Sequence, residues 1–270
     1  MAFNPLRLVG LASAAALMLG TTSAHAQRAA SLTAADLGLT EAQLQSLLQG
    51  SNAPSVAPGI VFGSPTAFGA DWGTAGIGIG GATLPKSSDD DYDGSAGFVL
   101  GLGDANTFIG VETIVSVVSL KESFGEDGSV AFKAHTNLPG GMAIAVGLEN
   151  TLRWGEAEQG ESSVYIAGSK VLDLDPGSDA LPLAITLGLG DNRFNDPGES
   201  GANVFGALAL IPHEQFSLIA DYAGTGLNLG VSIVPIRAVP LIVSLGFVNV
   251  TERNEGDSEF AGGIGYSFSF

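Results

Sequence analysis

From residue 71 to the C-terminus, large apolar residues alternate with small or polar ones. In the last such stretch Ile264, Tyr266 and Phe268 fall on one parity, and Gly265 and Ser267 fall on the other. A period of two is typical of β-strands. The face opposite the bulky residues carries mainly Gly, Ala and Ser. A soluble sandwich would place charged or strongly polar residues there, so the pattern favours a barrel wall in contact with lipid.

Twelve segments with this alternation lie between turn signals. They are Gly73–Thr83, Ser95–Leu102, Thr107–Leu120, Ser129–Asn137, Met142–Trp154, Ser162–Leu174, Leu181–Gly190, Ala202–Ile211, Phe216–Ala223, Leu227–Val234, Leu241–Thr251 and Glu259–Phe270. Membrane strands need roughly 9 to 11 residues, and bacterial single-chain barrels have an even number of strands. The sequence therefore predicts an all-β protein, an antiparallel transmembrane β-barrel of about 12 strands over residues 71–270.

The connections between these segments alternate in length and charge. Counted along the chain, the odd connections are the longer ones, apart from the turn at Gly224, and they hold most of the acidic residues. Those residues are Asp89, Asp90, Asp91, Asp93, Glu122, Glu126, Asp127, Glu156, Glu158, Glu161, Asp191, Asp196, Glu199, Glu252, Glu255 and Asp257. Transmembrane barrels have short periplasmic turns and longer external loops. The pattern thus predicts an acidic external rim, with both termini at the periplasmic end.

The N-terminal residues have a different character. Residues 1–26 combine Arg7, an apolar stretch and the small-x-small triplet Ala24-His25-Ala26, so they predict a cleaved signal peptide and export. Residues 27–70 form a second region. Within it Thr40–Gln49 predicts one short amphipathic helix with its leucines on one face, and residues 51–70 predict an irregular linker rich in Pro, Gly, Ser and Ala.

Composition excludes several classes of function. The chain has no Cys, which rules out disulfides, thiol catalysis and Cys-ligated metals. Its formal net charge of -18 argues against nucleic-acid binding, because phosphate contacts need clustered Lys and Arg. No Ser lies in a nucleophile-elbow motif, and His135 and His213 are the only histidines after the predicted cleavage site. We therefore expect no enzymatic activity and no cofactor.

Two short motifs lack part of the pattern that their chemistry would need. The glycines from Gly76 to Gly81 fit a dinucleotide fingerprint only formally, because no helix is predicted to follow them. Asp89, Asp91 and Asp93 match the first half of an EF-hand loop, but Leu100 stands where a bidentate Glu is required. These three aspartates are at most weak candidates for binding a divalent cation, and a solvated acidic loop is the commoner explanation.

A few charged residues fall inside the predicted strands. If the bulky residues face lipid, the strand charges that face inward are Glu112, Lys133, His135, Glu149, Arg153 and Asp221. These six are the candidate pore-lining residues, either as a structural ion-pair network or as a constriction that biases ion passage. Lys170 shares the parity of Val164 and Ile166, so it has to bulge or to extend its amine towards the interface. Trp154 and Tyr92 lie where an aromatic girdle is expected.

The C-terminal strand carries a family resemblance. Residues Gly265 to Phe270, with Tyr266, Phe268 and Phe270 on one face, resemble the assembly signal of Gram-negative outer-membrane β-barrel proteins. The resemblance implies that these three aromatic residues are read by the barrel-assembly machinery. It also implies residence in the cell outer membrane, in contact with its lipid.

Two functional hypotheses follow. The first is a narrow porin-like channel for small solutes or ions, partly plugged by the predicted helix and selective for cations because of the acidic rim. The second is a non-conducting surface or structural protein whose acidic loops bind divalent cations. An autotransporter-like translocator is a third possibility, but the short stretch Gln27–Ala70 offers little to export.

Overall fold

The structure is a computed structural model that describes residues 56–83, 92–118, 125–155, 157, 161–174, 181–253 and 257–270. The predicted signal peptide and the predicted helix over Thr40–Gln49 lie outside these ranges. Within the described ranges, no helix is long and apolar enough to cross a membrane.

The strands form one closed antiparallel barrel in which each strand pairs with its neighbours in sequence, and β1 pairs with β12. They are β1 Thr74–Thr83, β2 Tyr92–Gly103, β3 Gly110–Val118, β4 Asp127–Leu138, β5 Met142–Trp154, β6 Ser163–Asp173, β7 Pro182–Gly190, β8 Asn203–His213, β9 Phe216–Tyr222, β10 Leu227–Ile233, β11 Leu241–Val248 and β12 Glu259–Ser269. The predicted number of twelve strands is confirmed. Closure leaves no unpaired strand edge in the sheet, as a membrane requires.

All predicted strand boundaries agree with the structure to within three residues. The predicted start of β3 at Thr107 was wrong, because the Thr107 hydroxyl donates a 2.6 Å hydrogen bond to Asp104 and holds the chain in a turn up to Gly110. The predicted end of β11 at Thr251 was also wrong. Asn249 has a positive φ of 52° and is therefore not extended, so the strand ends at the preceding residue, Val248.

The outer surface of the barrel is apolar. Large side chains of alternate strand positions are exposed on it, namely Ile77, Ile79, Phe98, Ile144, Val146, Leu148, Val164, Ile166, Leu187, Leu189, Val204, Leu208, Leu218, Leu229, Leu245, Phe247, Phe260, Ile264, Tyr266 and Phe268. A water-soluble protein does not expose so continuous an apolar band. The strand register also supports a continuous apolar band, because Ile77 lies between Phe98 and Tyr266 on the same outer face.

Successive connections lie at opposite ends of the barrel because the strands are antiparallel. We name the end with connections 104–109, 139–141, 174–181, 214–215 and 234–240 the turn end, and the opposite end the loop end. Both the start of β1 and the C-terminal Phe270 lie at the turn end, where the Phe270 amide donates a 3.0 Å hydrogen bond to the Gly73 carbonyl.

The inner space of the barrel is occupied by the chain itself. Residues 56–71, which we name the plug, have no helix or strand structure, yet almost all of them are buried. Their apolar members Ile60, Val61 and Phe62 pack against small inward residues of the wall, including Ala207 and Ala209. The core of this protein is therefore the contact between the plug and the barrel wall. The sequence predicts the irregular segment, but it does not predict the position of this segment inside the barrel.

Candidate functional site

The plug forms a loop that enters and leaves the barrel by the same end. It begins at Val56, which packs with Val234 and Ile242 beside the turn end. It rises to the level of Asp221, one residue before β9 ends at the loop end. It then returns to Asp71, whose carbonyl accepts a hydrogen bond from Thr74 at the start of β1. Because this irregular backbone cannot satisfy its own polar groups, the wall must supply partners for them.

Asp221 is the partner at the top of the loop. Its carboxylate accepts hydrogen bonds from the Phe62 amide at 2.8 Å, from the Ser64 amide at 3.0 Å and from the Ser64 hydroxyl at 2.6 Å. The residue is completely buried. Hydrogen bonds to an ionised carboxylate are among the stronger ones in proteins, so Asp221 fixes the turn of the plug to β9.

Phe62 fits against two glycines of the wall. A Cβ atom added to Gly230 would lie 2.6 Å from the Phe62 ring, and one added to Gly246 would lie 2.7 Å from it. Both glycines lie opposite each other on β10 and β11. The missing side chains create the space that the aromatic ring fills, which explains why this part of the wall is built from glycine.

A buried ion pair holds the descending part of the plug. Lys133 Nζ lies 3.1 Å from Glu112 Oε1, and both side chains are essentially inaccessible. Each partner also binds the plug: Lys133 donates to the Phe68 carbonyl at 2.5 Å, and Glu112 Oε2 accepts from the Ala70 amide at 2.8 Å. A buried pair of charges needs such additional hydrogen bonds to offset the loss of hydration.

His135 and Asp71 complete the cluster near the turn end. The His135 Nε2 lies 3.1 Å from the Ala70 carbonyl and 3.8 Å from Asp71 Oδ1. Asp71 Oδ1 also accepts a hydrogen bond from the Ala105 amide at 2.8 Å. Burial raises the pKa of Asp71 to about 6, against its ordinary value of 3.8, and this hydrogen bond only partly opposes the shift. Relative to the unfolded chain, folding thus shifts the ionisation equilibrium of Asp71 towards the protonated form. In the adjacent turn, the Thr107 hydroxyl bond lowers the pKa of Asp104.

Inward serines and a threonine supply further polar contacts to the plug. Ser232 accepts from the Gly59 amide at 2.8 Å, and Ser217 donates to the Gly59 carbonyl at 2.5 Å. On the opposite side, Ser169 accepts from the Ala67 amide at 2.9 Å and lies 2.8 Å from Thr186. Both backbone groups of Gly59 are therefore satisfied by hydroxyl groups of the wall, as a buried irregular segment requires.

A loop covers the plug from the other end. The connection between β7 and β8 contains a short 3-10 helix, Asn192–Phe194, whose Phe194 is buried and stacks on Phe205 with ring centroids 4.5 Å apart. Arg193 forms a two-point ion pair with Glu149 and donates to the Gly63 carbonyl at 3.2 Å. The plug thus enters the lumen from the turn end, this connection covers the plug from the loop end, and the two meet where Arg193 binds the Gly63 carbonyl.

The six candidate pore-lining residues lie on the inner side of the wall, and five of them are buried there. Glu112, Lys133, His135, Glu149 and Asp221 are buried in the contacts just described, and Glu149 reaches the plug only through Arg193. Arg153 is half-buried at the loop end of β5, opposite Ser129. A role of these residues in ion selectivity stays a prediction.

The other residues singled out from the sequence have varied positions. Lys170 is exposed on the outer face beside Met142 and Ile185, in the part of β6 nearer the turn end, where its amine can reach the interface. Trp154 is half-buried and its indole donates to the Gly125 carbonyl at 3.1 Å.

Asp89 and Asp91 lie outside the described residues, as do the side chains of Tyr92 and Asp93. Among the residues that the structure describes, no group of three His, Asp or Glu side chains is arranged to hold a metal ion.

The aromatic residues of the C-terminal strand face outward. Tyr266 and Phe268 are exposed with ring centroids 6.5 Å apart, and Phe270 packs edge-on against Trp72 at 5.6 Å. Trp72 follows the plug directly, so this contact lies where the plug joins the wall and where the barrel closes. The assembly role of the three C-terminal residues stays a prediction.

Sequence reasoning missed the groups that bind the plug backbone. Ser169, Ser217 and Ser232 looked like small lumen-facing residues, and Arg193 lies in a connection rather than a strand. One signal was available: serine recurs at inward positions of several strands whose other inward residues are Gly or Ala. That pattern indicates a polar partner inside the barrel, but it does not identify the partner.

This chain has only weak similarity to the known proteins described below. No protein family model matches this chain, and no curated protein matches it. Among solved structures, LpxR from Salmonella typhimurium aligns with a TM-score of 0.37 and 10% identity, over 72% of this chain and 100% of that one. The β domain of the Bordetella autotransporter BrkA aligns with a TM-score of 0.37 and 13% identity, over 73% of this chain and 99% of that one. At this level of likeness neither structure supports an argument about this chain.

The geometry of the chain itself defines its class. A closed antiparallel barrel of twelve strands with an apolar outer band and a packed interior is the architecture of outer-membrane β-barrel proteins. This chain is a closed β-barrel of the transmembrane type.

Proposed function

We propose that the protein resides in the outer membrane of a Gram-negative cell as a non-conducting barrel, closed by its own plug. In this role it serves as a surface or structural protein. Its turn end faces the periplasm, and its acidic loop end faces the exterior, where the carboxylates bind divalent cations. The predicted signal peptide and the predicted C-terminal assembly signal agree with this location.

One observation carries the proposal. The plug is held by buried side chains on both flanks of the lumen, with Asp221 and Ser232 on one side and Glu112 and Ser169 on the other. Opening the lumen would leave all these groups without their partners, unless water replaced them together. A passive porin needs a permanently water-filled path. Displacing the plug to open such a path would break its hydrogen bonds to the wall, which costs free energy.

The test is the conductance of the purified protein in planar lipid bilayers. We expect no steady channel activity from the complete chain. A stable open conductance, seen in most insertions of correctly folded protein, would overturn the proposal. Heat-modifiable migration in gels verifies in the same samples that the barrel is folded.

A cation-preferring channel remains a second candidate, and one feature favours it. Glu112 pairs with Lys133 and Glu149 pairs with Arg193, whereas the hydrogen bonds that Asp221 accepts from described residues come from the plug. If the plug leaves, the Asp221 carboxylate is exposed on the inner wall, where it attracts cations against the opposing charge of Arg153. A reversal potential measured across a salt gradient tests this, and anion preference would contradict it.

The expectation that the protein is not an enzyme is part of the same proposal. In the described residues His135 faces the plug, and no hydroxyl nucleophile is within hydrogen-bonding distance of its ring. An assay of the purified barrel for hydrolysis of phospholipid and lipopolysaccharide tests this expectation, and turnover above that of a heat-denatured sample would contradict it.

A further inference from the structure

The outer face of the barrel contains an apolar groove. Its volume is about 620 Å³, within the range of about 300 to 1,000 Å³ that ligand pockets have. One side of the groove is a row of outward side chains that lie side by side in the register of β8 to β12, namely Leu208, Ala220, Leu229, Phe247 and Phe260. The groove therefore runs across five strands of the wall rather than along one of them.

Ala220 gives the groove its depth. It is the small member of the row, and the register places it directly between Leu208 of β8 and Leu229 of β10. A second row of outward residues, which includes Leu218 and Leu245, forms the other side of the groove nearer the turn end. A substitution at Ala220 that adds bulk would therefore fill the groove from its middle.

The floor of the groove is backbone. Gly230 and Gly246 lie opposite each other between the two rows, and an added Cβ on either glycine would point into the lumen, where Phe62 occupies the space. The groove and the plug thus lie on opposite sides of the same two glycines. A molecule in the groove does not touch the plug.

A cation lies beside one end of the groove. Leu183 of β7 lines the end nearest β6. Lys170 of β6 pairs with Ile185, so Leu183 is its diagonal neighbour on the same face, at about 7 to 8 Å. Lys170 is exposed on this apolar surface, and no ion pair joins it to a residue that the structure describes. A lysine on the lipid face is unfavourable unless its amine reaches water or an anion at the interface.

We propose that the groove binds one acyl chain of an anionic phospholipid, and that the phosphate of this lipid pairs with Lys170. Lys170 lies three residues before β6 ends at the turn end, so its amine reaches the head groups on that side. The inference goes beyond the proposed function. It takes from it only the direction of the turn end, which makes this the periplasmic leaflet.

The dimensions of the groove suit a single chain. Each of its two rows crosses five strands, which corresponds to four strand spacings of about 4.8 Å, or about 19 Å in all. The hydrocarbon core of a bilayer is about 30 Å thick, so an acyl chain that runs from the head groups to the middle covers about 15 Å. The groove is therefore long enough to hold one chain of one leaflet.

The chemistry of the groove and of its end fits the two parts of such a lipid. Every residue that lines the groove is apolar, so it offers packing contacts to a hydrocarbon chain and no side-chain hydrogen bond to a polar ligand. The groove also belongs to the outer band, which faces hydrocarbon. Lys170 supplies the positive charge that an anionic head group attracts. Apolar packing and charge complementarity thus point to the same occupant.

Native mass spectrometry of the complete chain in detergent micelles tests the site, with phosphatidylglycerol as the added lipid. We expect one tightly retained lipid per barrel. Ala220→Phe is expected to weaken its retention about tenfold, because the new ring occupies the space of the chain. Lys170→Gln is expected to weaken it about fivefold, which corresponds to the effect of about 1 kcal/mol for one basic residue near anionic lipid, and Lys170→Arg is expected to preserve it. Unchanged retention in Lys170→Gln would overturn the pairing with phosphate.

Ala134→Phe is the matched control for the groove. Ala134 of β4 also faces outward, between Val111 and Val146, and it does not line the groove. Equal loss of lipid in Ala134→Phe and Ala220→Phe would mean that lipid coats the outer wall without a specific site, and the proposal would fail. Heat-modifiable migration verifies that each variant is folded, and Ala220→Leu is the smaller filling residue if Ala220→Phe does not fold.

Two further results would assign the groove to another occupant. Displacement of phosphatidylglycerol by an equal amount of lipid A would assign it to the lipid of the exterior leaflet and overturn the choice of a phospholipid. A dimer of the complete chain that is lost in Ala220→Phe would show that a second copy covers the groove, and would overturn the proposal as well. Steady conductance of the complete chain would instead overturn the proposed function and leave this inference intact, because the groove lies outside the lumen.

Discussion

Asp221 holds Ser64 at two points: Oδ1 accepts the Ser64 hydroxyl at 2.6 Å, and Oδ2 accepts the Ser64 amide at 3.0 Å. One carboxylate of the wall therefore fixes both the side chain and the backbone of the same plug residue. The Phe62 amide shares Oδ2. This is the point where the plug turns back, so its loss is expected to loosen the whole loop.

Replacing Asp221 tests this role. Asp221→Ala leaves the buried amides of Phe62 and Ser64 without an acceptor, and each costs about 1 to 3 kcal/mol, while the Ser64 hydroxyl still reaches the Tyr222 carbonyl at 3.2 Å. We expect a destabilisation of at least about 2 kcal/mol and the appearance of transient conductance. Asp173→Ala is the matched control, because Asp173 accepts a hydrogen bond from the Leu181 amide at the exposed end of β6, away from the plug. The measurements are denaturant unfolding in detergent micelles and bilayer recording. Equal effects of the two variants would contradict the assignment.

The fit of Phe62 against Gly230 gives a second prediction. In Gly230→Ala the new methyl group lies 2.6 Å from the Phe62 ring, and the ring has to move. Overpacking of this kind costs roughly 1 to 3 kcal/mol. The cost is expected to fall in a Phe62→Ala background, which a double-mutant cycle measures directly.

Gly168→Ala serves as the control for that cycle, since its nearest heavy atom would be 4.0 Å away. Should Gly230→Ala be equally destabilising with and without the Phe62 ring, the glycine would be needed for the strand itself and not for the plug.

The buried pair of Glu112 and Lys133 gives a third prediction. Removing one partner, as in Lys133→Met, leaves a carboxylate buried without its counter-charge and is expected to cost about 3 to 5 kcal/mol. The double variant with Glu112→Gln also removes that charge, and is expected to recover part of the loss. Unfolding of the four proteins in detergent measures the coupling, and strict additivity of the two single effects would contradict a direct interaction.

Asp71 gives a prediction for pH. Its pKa is about 6 in the folded protein and 3.8 ordinarily, so between these values the folded state binds more protons than the unfolded state. The free energy of unfolding contributed by Asp71 therefore falls as pH rises from about 4 to about 6. Asp71→Asn removes this dependence while its side-chain oxygen can still accept the Ala105 amide.

The relevant quantity is the stability of Asp71→Asn minus that of the unsubstituted protein, measured by thermal unfolding in detergent. It is expected to be smallest near pH 4 and to grow until about pH 6, where it levels off. A difference that stays constant over this range would show that burial does not favour the protonated form of Asp71.

The sequence by itself determined the barrel. The strict alternation in β12, for example, leaves bulky residues such as Tyr266 and Phe268 on one face, and only lipid or a second protein layer can cover them. Strand number and the long acidic loops follow from local pattern and turn chemistry, which act over a few residues. The inward direction of Glu112, Lys133 and Asp221 follows from the same alternation, because parity alone assigns a strand residue to a face.

Only the tertiary structure decided what fills the barrel. The plug has no periodic pattern, and its partners are far away in sequence: Phe62 meets Asp221, and Ala67 meets Ser169. Such contacts depend on how the strands close into a cylinder and on which inward positions lack a side chain. The local sequence does not indicate that geometry. The segment predicted as an irregular linker therefore forms, as the plug, the core of the protein.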